Sequence, residues 1–382
     1  MAEARRWVGT WTTSPVITEG LAFTNQTLRM IMRISLGGSR LRVRLSNAYG
    51  LAPLAIARVC IGLRDKDARV LRGSNRKVTF GGAEAVVIAA GAQALSDPVE
   101  LDAPALADMA VSLYIPGALP ESFQITGHGN SRQTNYVSIP GDHTTAAALP
   151  VEKTTENWYL VTGIDVLAPA KAGGIVALGD SLTDANISTV DANMRWPDQL
   201  ARRLAARRRG RPLGVMNHGI GGNRILHDIR GDSGLRRFDR DVLAQPGVTH
   251  AIVFLGTNDL RNRWAKPEQE VTAEQMIAGL KQLAARAQAK GVKIYGCTLL
   301  PFENETFLPG AWTPAREKHR KAVNDWVRRG RAFDHVIDFD KTLRDPRHPA
   351  SMLPKYDCGD HLHPSDLGHQ TLGDSIDLAL FD

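Results

Sequence analysis

The feature that most constrains this chain is a change in the spacing of its apolar residues near Gly174. Before that point they alternate. Leu28, Met30, Met32, Ile34 and Leu36 fall two apart, as do Leu41, Val43 and Leu45. A period of two puts such residues on one face of a strand. Gly37 and Gly38 separate the two runs, which predicts a β-hairpin. Similar short runs recur over 54–63, 77–80, 85–89, 109–115, 122–126 and 158–166, punctuated by Gly, Pro, Asn and Asp. No helical period outlasts a turn. The region 1–166 therefore reads as an all-β sandwich or jelly roll.

After Gly174 the pattern changes. Apolar runs over 174–178, 213–217, 250–255, 292–299 and 335–339 alternate with helical stretches. In 273–290, Met276, Ile277, Leu280, Leu283, Ala284 and Ala287 form one stripe, and Gly291 ends it. The stretch 314–329 repeats the theme with Val323, Trp326 and Val327. Strands alternating with helices predict a parallel sheet covered on both faces. The expected organisation is thus a β domain over 1–166, a linker over 167–173 and an α/β domain over 174–382, a length that suits two domains.

Composition narrows the function classes. No run approaches the roughly 18 apolar residues of a membrane helix. The opening MAEARRWVGTWTTSP has charges but no apolar core, so no export signal is expected, which fits a cytoplasmic protein or a mature exported one. Cys60, Cys297 and Cys358 show no metal or disulfide spacing, and Cys60 and Cys297 read as small buried hydrophobes. The formal charge of +7 owes much to Arg202, Arg203, Arg207, Arg208, Arg209 and Arg211 at the end of one helix. These read as a solvated helix terminus rather than a nucleic-acid surface.

In open α/β sheets ligands bind beyond the carboxyl ends of the strands, so the polar residues there carry the chemistry. After the first strand comes Gly179-Asp180-Ser181-Leu182, where Ser181 reads as a helix cap or as a nucleophile. After the second comes 217–224, with Gly219, Gly221 and Gly222 able to present backbone N–H groups to an oxyanion. No Gly-Lys-Ser/Thr follows, so this is no P-loop, and His218 reads as structural. After the third comes Gly256-Thr257-Asn258-Asp259, whose Asn amide is a neutral donor or a turn former. Near the C-terminus, Asp360 precedes His363 by three residues, close enough to accept its Nδ1–H. His361 and His363 also read as a metal pair, but no third ligand accompanies them; no cofactor or metal is expected.

The order of these four motifs resembles the SGNH, or GDSL-type, hydrolase family over about 172–382. The resemblance implies a three-layer α/β/α, flavodoxin-like parallel sheet and a carboxylic ester hydrolase. It implies Ser181 as nucleophile, Asp360 and His363 as its partners, and an oxyanion hole of the Ser181 N–H, Gly222 and Asn258, with Gly221 a neighbour onto which the glycine assignment can slip. His361 is then a spectator. Asn223, Arg224 and the run 336–346 resemble a branch of arylesterases and carbohydrate deacetylases with an extra N-terminal β domain. Thr183, Asp184, Asn223 and Arg224 are expected to line the pocket, Arg224 alternatively anchoring its loop. The polar run 126–130 is expected to be a loop, either an ordinary turn or one that reaches the cleft. The expected substrate is a small ester or acylated carbohydrate. An acyltransferase with the same site, a carbohydrate-binding protein without catalysis and a metal-dependent phosphoesterase are the alternatives.

Overall fold

The computed structural model describes residues 4–18, 22–119, 123–261 and 267–382. It falls into two units, Met1–Ala172 and Gly173–Asp382. In the first, every strand pair is antiparallel, and two sheets enclose a shared core. One sheet runs Arg5–Thr12, Val161–Pro169, Gly38–Ser46, Val99–Ala103; the other runs Val151–Thr155, Asn135–Pro140, Phe23–Arg33, Asp108–Leu119, Arg58–Leu63, Arg76–Val78. Val8, Val43 and Ile164 of the first meet Met30, Val111 and Val137 of the second. This is a β-sandwich.

The hairpin expected at Gly37-Gly38 does not form. Phe23–Arg33 and Gly38–Ser46 lie in different sheets. Both edges of Phe23–Arg33 are already paired, with Asp108–Leu119 and Asn135–Pro140. Its second face is buried too, since Ile31 packs with Ala110 and Tyr136. The chain therefore crosses between sheets at 34–37, where a Cβ on Gly37 would lie 2.5 Å from the Ala105 nitrogen. Two further expectations shift. Residues 167–169 continue the strand Val161–Pro169 instead of linking domains. The run 126–130 starts as the buried strand Ile125–His128, with His128 Nδ1 2.9 Å from the Ser14 carbonyl oxygen. Of the run 122–126, Ser122 lies outside the described residues.

The second unit holds a parallel five-stranded sheet in the order Leu213–Gly219, Gly173–Gly179, Val248–Phe254, Lys293–Cys297, His335–Ile337. This is the flavodoxin-like order, which reverses direction at the first strand. Successive side chains leave a strand on opposite faces. Val176, Leu178 and Val253 pack into a core with Met276, Leu280 and Leu283 of the helix Ala273–Ala289 and with Val323 and Val327 of Pro314–Arg329. Phe254, next to Val253, packs edge-on against Phe339, which in turn meets Trp196 of the helix Trp196–Ala206. Helices thus cover both faces. Ala273–Ala289 starts at a capping box of Thr272 and Gln275, and Gly291, at φ 69°, follows its end. The basic run has an architectural role in part: Arg203 donates to the Gly373 and Ile376 carbonyl oxygens, and Arg207 to that of Leu378.

Candidate active site

The first strand ends in a turn too tight for a side chain at Gly179, where a Cβ would lie 2.8 Å from the Phe254 carbonyl oxygen. Asp180, not Ser181, caps the short helix Ser181–Asp184: its Oδ1 accepts the Leu182 N–H at 3.0 Å. That leaves the Ser181 hydroxyl to a different partner. Asp180 is buried, and burial pushes its carboxyl up to about 7.

The loop after the second strand turns at Gly222, whose φ of 79° suits glycine. Buried Arg237 joins this loop to the first two strands. Its Nη2 donates to the Gly179 carbonyl oxygen (2.8 Å), its Nη1 to that of His218 (2.7 Å) and its Nε to Asn223 Oδ1 (3.1 Å). Among the described residues, no acceptor is hydrogen-bonded to the N–H of Ser181 or of Gly222.

After the third strand, Asp259 and Asn258 point to different sides of that loop. Asp259 accepts the N–H groups of Ile225 (2.7 Å) and Leu226 (3.2 Å), and burial pushes its carboxyl up to about 6. The Asn258 Nδ2 lies 3.2 Å from both Asp180 Oδ2 and the Asn223 carbonyl oxygen, beside the Gly179–Ser181 turn and the 223–224 peptide.

The fourth motif completes a chain of polar contacts. His363 Nε2 is 2.9 Å from Ser181 Oγ, and His363 Nδ1 is 2.7 Å from Asp360 Oδ2. Asp360 Oδ1 also accepts the N–H groups of Leu362 (2.8 Å) and His363 (2.7 Å). Burial alone would raise the Asp360 carboxyl; the His363 side chain and these two N–H groups outweigh it and hold the carboxyl well below the usual range. Ser181 is 6% exposed and His363 3%. A hydroxyl, an imidazole and a carboxylate in this order can move a proton from oxygen to nitrogen while keeping the imidazolium paired.

The sequence pattern of the GDSL-like lipase/acylhydrolase family matches residues 177–371, just over half of the chain. The chain belongs to this family. It is a GDSL-type carboxylic ester hydrolase. No curated protein sequence matches it. Similar solved structures include a carbohydrate acetylesterase from Sinorhizobium meliloti (17% identity, 53% of this chain and 94% of that one, TM-score 0.40). A psychrotrophic esterase from Pseudoalteromonas is 19% identical over 53% of this chain and 93% of its own, with a TM-score of 0.38. A GDSL-like lipase from Bacteroides thetaiotaomicron is 17% identical over 54% and 87%, with a TM-score of 0.41.

The hydrolase departs from the sequence-based picture in its pocket residues. Asn223 is fully buried, with Nδ2 donating to the Arg230 and Asp232 carbonyl oxygens and Oδ1 accepting from Arg237. Its amide organises the loop, with both N–H groups and the oxygen engaged inside the protein. Arg224 is buried as well, donating to the Gln269 carbonyl oxygen at 2.7 Å with Asp259 at 3.7 Å, so it anchors its loop. Thr183 and Asp184 are buried, the Thr183 hydroxyl accepting from Trp196 and the Asp184 carbonyl oxygen from Arg195. The last motif does not follow a strand directly; the helix Phe339–Leu343 and the turn Pro354–Tyr356 intervene after His335–Ile337.

His361 and His363 diverge. His361, at φ 60°, bonds Asp357 at 2.8 Å and faces solvent, so the two do not form a metal pair. Among the described residues, the metal-ligating types that cluster are Asp357, Cys358 and Asp360. Burial pushes the Cys358 thiol up to about 12, and Asp360 is engaged by His363, which makes a poor ligand set. No described helix is long and apolar enough to cross a membrane.

Sequence reasoning missed two things. One is Arg237, which resembled any other arginine of a basic chain. The other is the segment after the fourth strand. There, Glu305 Oε1 accepts from Arg261, the Thr306 N–H donates to the Asp360 carbonyl oxygen at 3.0 Å, and the Phe307 ring stands edge-on to His363 with centroids 5.3 Å apart. No motif marked it, because its residues act through neighbours distant in sequence.

Proposed function

We propose that the hydrolase cleaves short-acyl esters, carbohydrate acetates in particular, through an acyl-enzyme on Ser181. The observation that supports this most is the Asp360–His363–Ser181 chain, at 2.7 and 2.9 Å. Ser181 Oγ attacks the ester carbonyl carbon as its proton passes to His363 Nε2, and Asp360 stabilises the imidazolium. The tetrahedral oxyanion takes the N–H groups of Ser181 and Gly222 and the Asn258 amide. Its collapse breaks the bond to the alcohol oxygen, which leaves with the proton from His363. Water then attacks the acyl carbon by the same route and frees Ser181. The catalytic set lies wholly within the α/β unit, and the sandwich is read as an accessory domain.

A short acyl group is favoured by the burial of Ser181 and His363 and by the lack of a long apolar lid segment in the sequence. The test is a series of aryl esters from acetyl upward, with an acetylated polysaccharide, given to wild type and Ser181→Ala. We expect turnover to fall as the chain lengthens, acetate to be released from the polysaccharide, and Ser181→Ala to lose at least about 10⁴-fold in kcat. A preference for long chains would remove the deacetylase reading. Full activity in Ser181→Ala would remove the mechanism.

A further inference from the structure

We propose that Arg261, held by Glu305, is a positioning residue that fixes which end of the Asn258 amide faces the reacting carbonyl. This rests on the reading in which Asn258 donates to the oxyanion. An Asn side chain presents an oxygen and an NH2 group of nearly the same shape, and only the NH2 end can serve. In this site the choice is made from behind: Asn258 Oδ1 accepts from Arg261 Nη1 at 2.9 Å. A guanidinium carries donors only, so a flipped amide would set NH2 against N–H. On the other side Nδ2 rests 3.2 Å from two acceptors, Asp180 Oδ2 and the Asn223 carbonyl oxygen. Both contacts are longer than the usual ~2.9–3.0 Å. A developing oxyanion is a stronger acceptor than either.

Arg261 is itself fixed. Its Nε and Nη2 lie 3.0 and 2.8 Å from Glu305 Oε1, and the two side chains are 1% and 0% exposed. A buried ion pair is weak evidence for stability, because desolvation offsets the attraction. Its geometric effect here is specific: the fork aimed at Glu305 leaves Nη1 aimed at Asn258. Glu305 Oε2 accepts the Leu308 N–H at 3.1 Å, and the next two residues, Thr306 and Phe307, reach Asp360 and His363. One short segment therefore braces the oxyanion side of the site and the proton-transfer side together.

The competing account is that Arg261, three residues after Asn258, only holds its own short helix. The two separate in a double-mutant cycle on the full-length protein with a short aryl ester. Asn258→Ala is expected to lower kcat about 10²–10³-fold, the usual loss for one oxyanion donor. Arg261→Met/Glu305→Gln, which removes both charges, is expected to lower kcat about tenfold with KM within about twofold. Added to Asn258→Ala, the same pair should change kcat by less than about twofold, since no amide remains to position. If the pair does not fold, as judged by thermal unfolding, Arg261→Lys keeps the charge and carries the test: a loss of about threefold in the wild-type background and none beside Asn258→Ala. Equal losses in both backgrounds, or wild-type kcat in the folded variants, would overturn the proposal. Unchanged kcat in Asn258→Ala would remove the oxyanion reading and the proposal with it, a result read from that variant alone.

Discussion

In the sandwich, the buried Arg29 has no carboxylate partner among the described residues: its guanidinium donates to the Ser112 hydroxyl and to the carbonyl oxygens of Ala68, Ala146 and Ala147, and burial brings it down to about 10. In the α/β unit, the buried arginines 237 and 261 each hold a carboxylate, Asp241 and Glu305, and at the same time a group of the site, the Gly179 carbonyl or the Asn258 amide. Asp180, Asp259, Asp360 and His363 gather there too. The first unit uses its buried Arg29 to hold segments in place; the second, besides a buried Arg320–Glu317–Asp340 network, sets buried arginines and carboxyl groups around the candidate site, where the proposed reaction develops charge. Preorganised dipoles and ions in a water-poor site act strongly on a transition state, which is the physical reason for such a concentration.

That contrast can be broken or sharpened by experiment, and Asp180 offers the largest effect. Its folded value of about 7 lies above the ordinary 3.8, so the folded state holds its proton more tightly than the unfolded chain. Its contribution therefore falls as pH rises from about 4 through 7. Thermal or denaturant unfolding at pH 4 and 8 should show Asp180→Asn gaining on wild type at the higher pH, by up to roughly 4 kcal/mol at about 1.4 kcal/mol per unit. A difference that does not change with pH would mean that Asp180 is not held uncharged by the site. The second effect belongs to the sandwich. Arg29→Met strands the Ala68 and Ala146 carbonyl oxygens and should cost about 3 kcal/mol, while kcat/KM of the folded protein stays within about twofold. Catalytic loss beyond the folded fraction would erase the distinction between the two units. The smallest effect is at Phe307, which is 44% exposed beside His363, where the leaving alcohol takes its proton in the proposed mechanism. Phe307→Ala should lower kcat/KM about threefold for a phenyl ester and leave the ethyl ester of the same acid unchanged, the size of one aromatic contact. Equal losses for both esters would place Phe307 in general support of His363.

The same contrast explains what the sequence could tell. The four motifs were legible because each sits at a turn that restricts residue type: Gly179 is crowded, Gly222 needs positive φ, and Asp360 must lie within one turn of His363. The period change at Gly174 was legible because strands and helices bury different spacings. What stayed hidden were long-range partnerships. Whether the runs around Gly37 pair as a hairpin depends on which other strands take the edges of Phe23–Arg33, and local alternation carries no record of that. Asn223 and Arg224 looked like pocket residues because polar groups near a glycine turn so often face solvent; Arg237 and Asp259 turn them inward instead. Arg261 and Glu305 are 44 residues apart and signal only by meeting.

The central claim is that Ser181 carries the acyl group. The most direct measurement is intact-protein and peptide mass spectrometry after reaction with a short-chain aryl phosphonate, which phosphonylates an activated serine and resists hydrolysis. We expect one adduct per chain, on the peptide containing Ser181, formed in step with loss of esterase activity and absent from Ser181→Ala. An adduct on another residue that accompanies the loss of activity would contradict it.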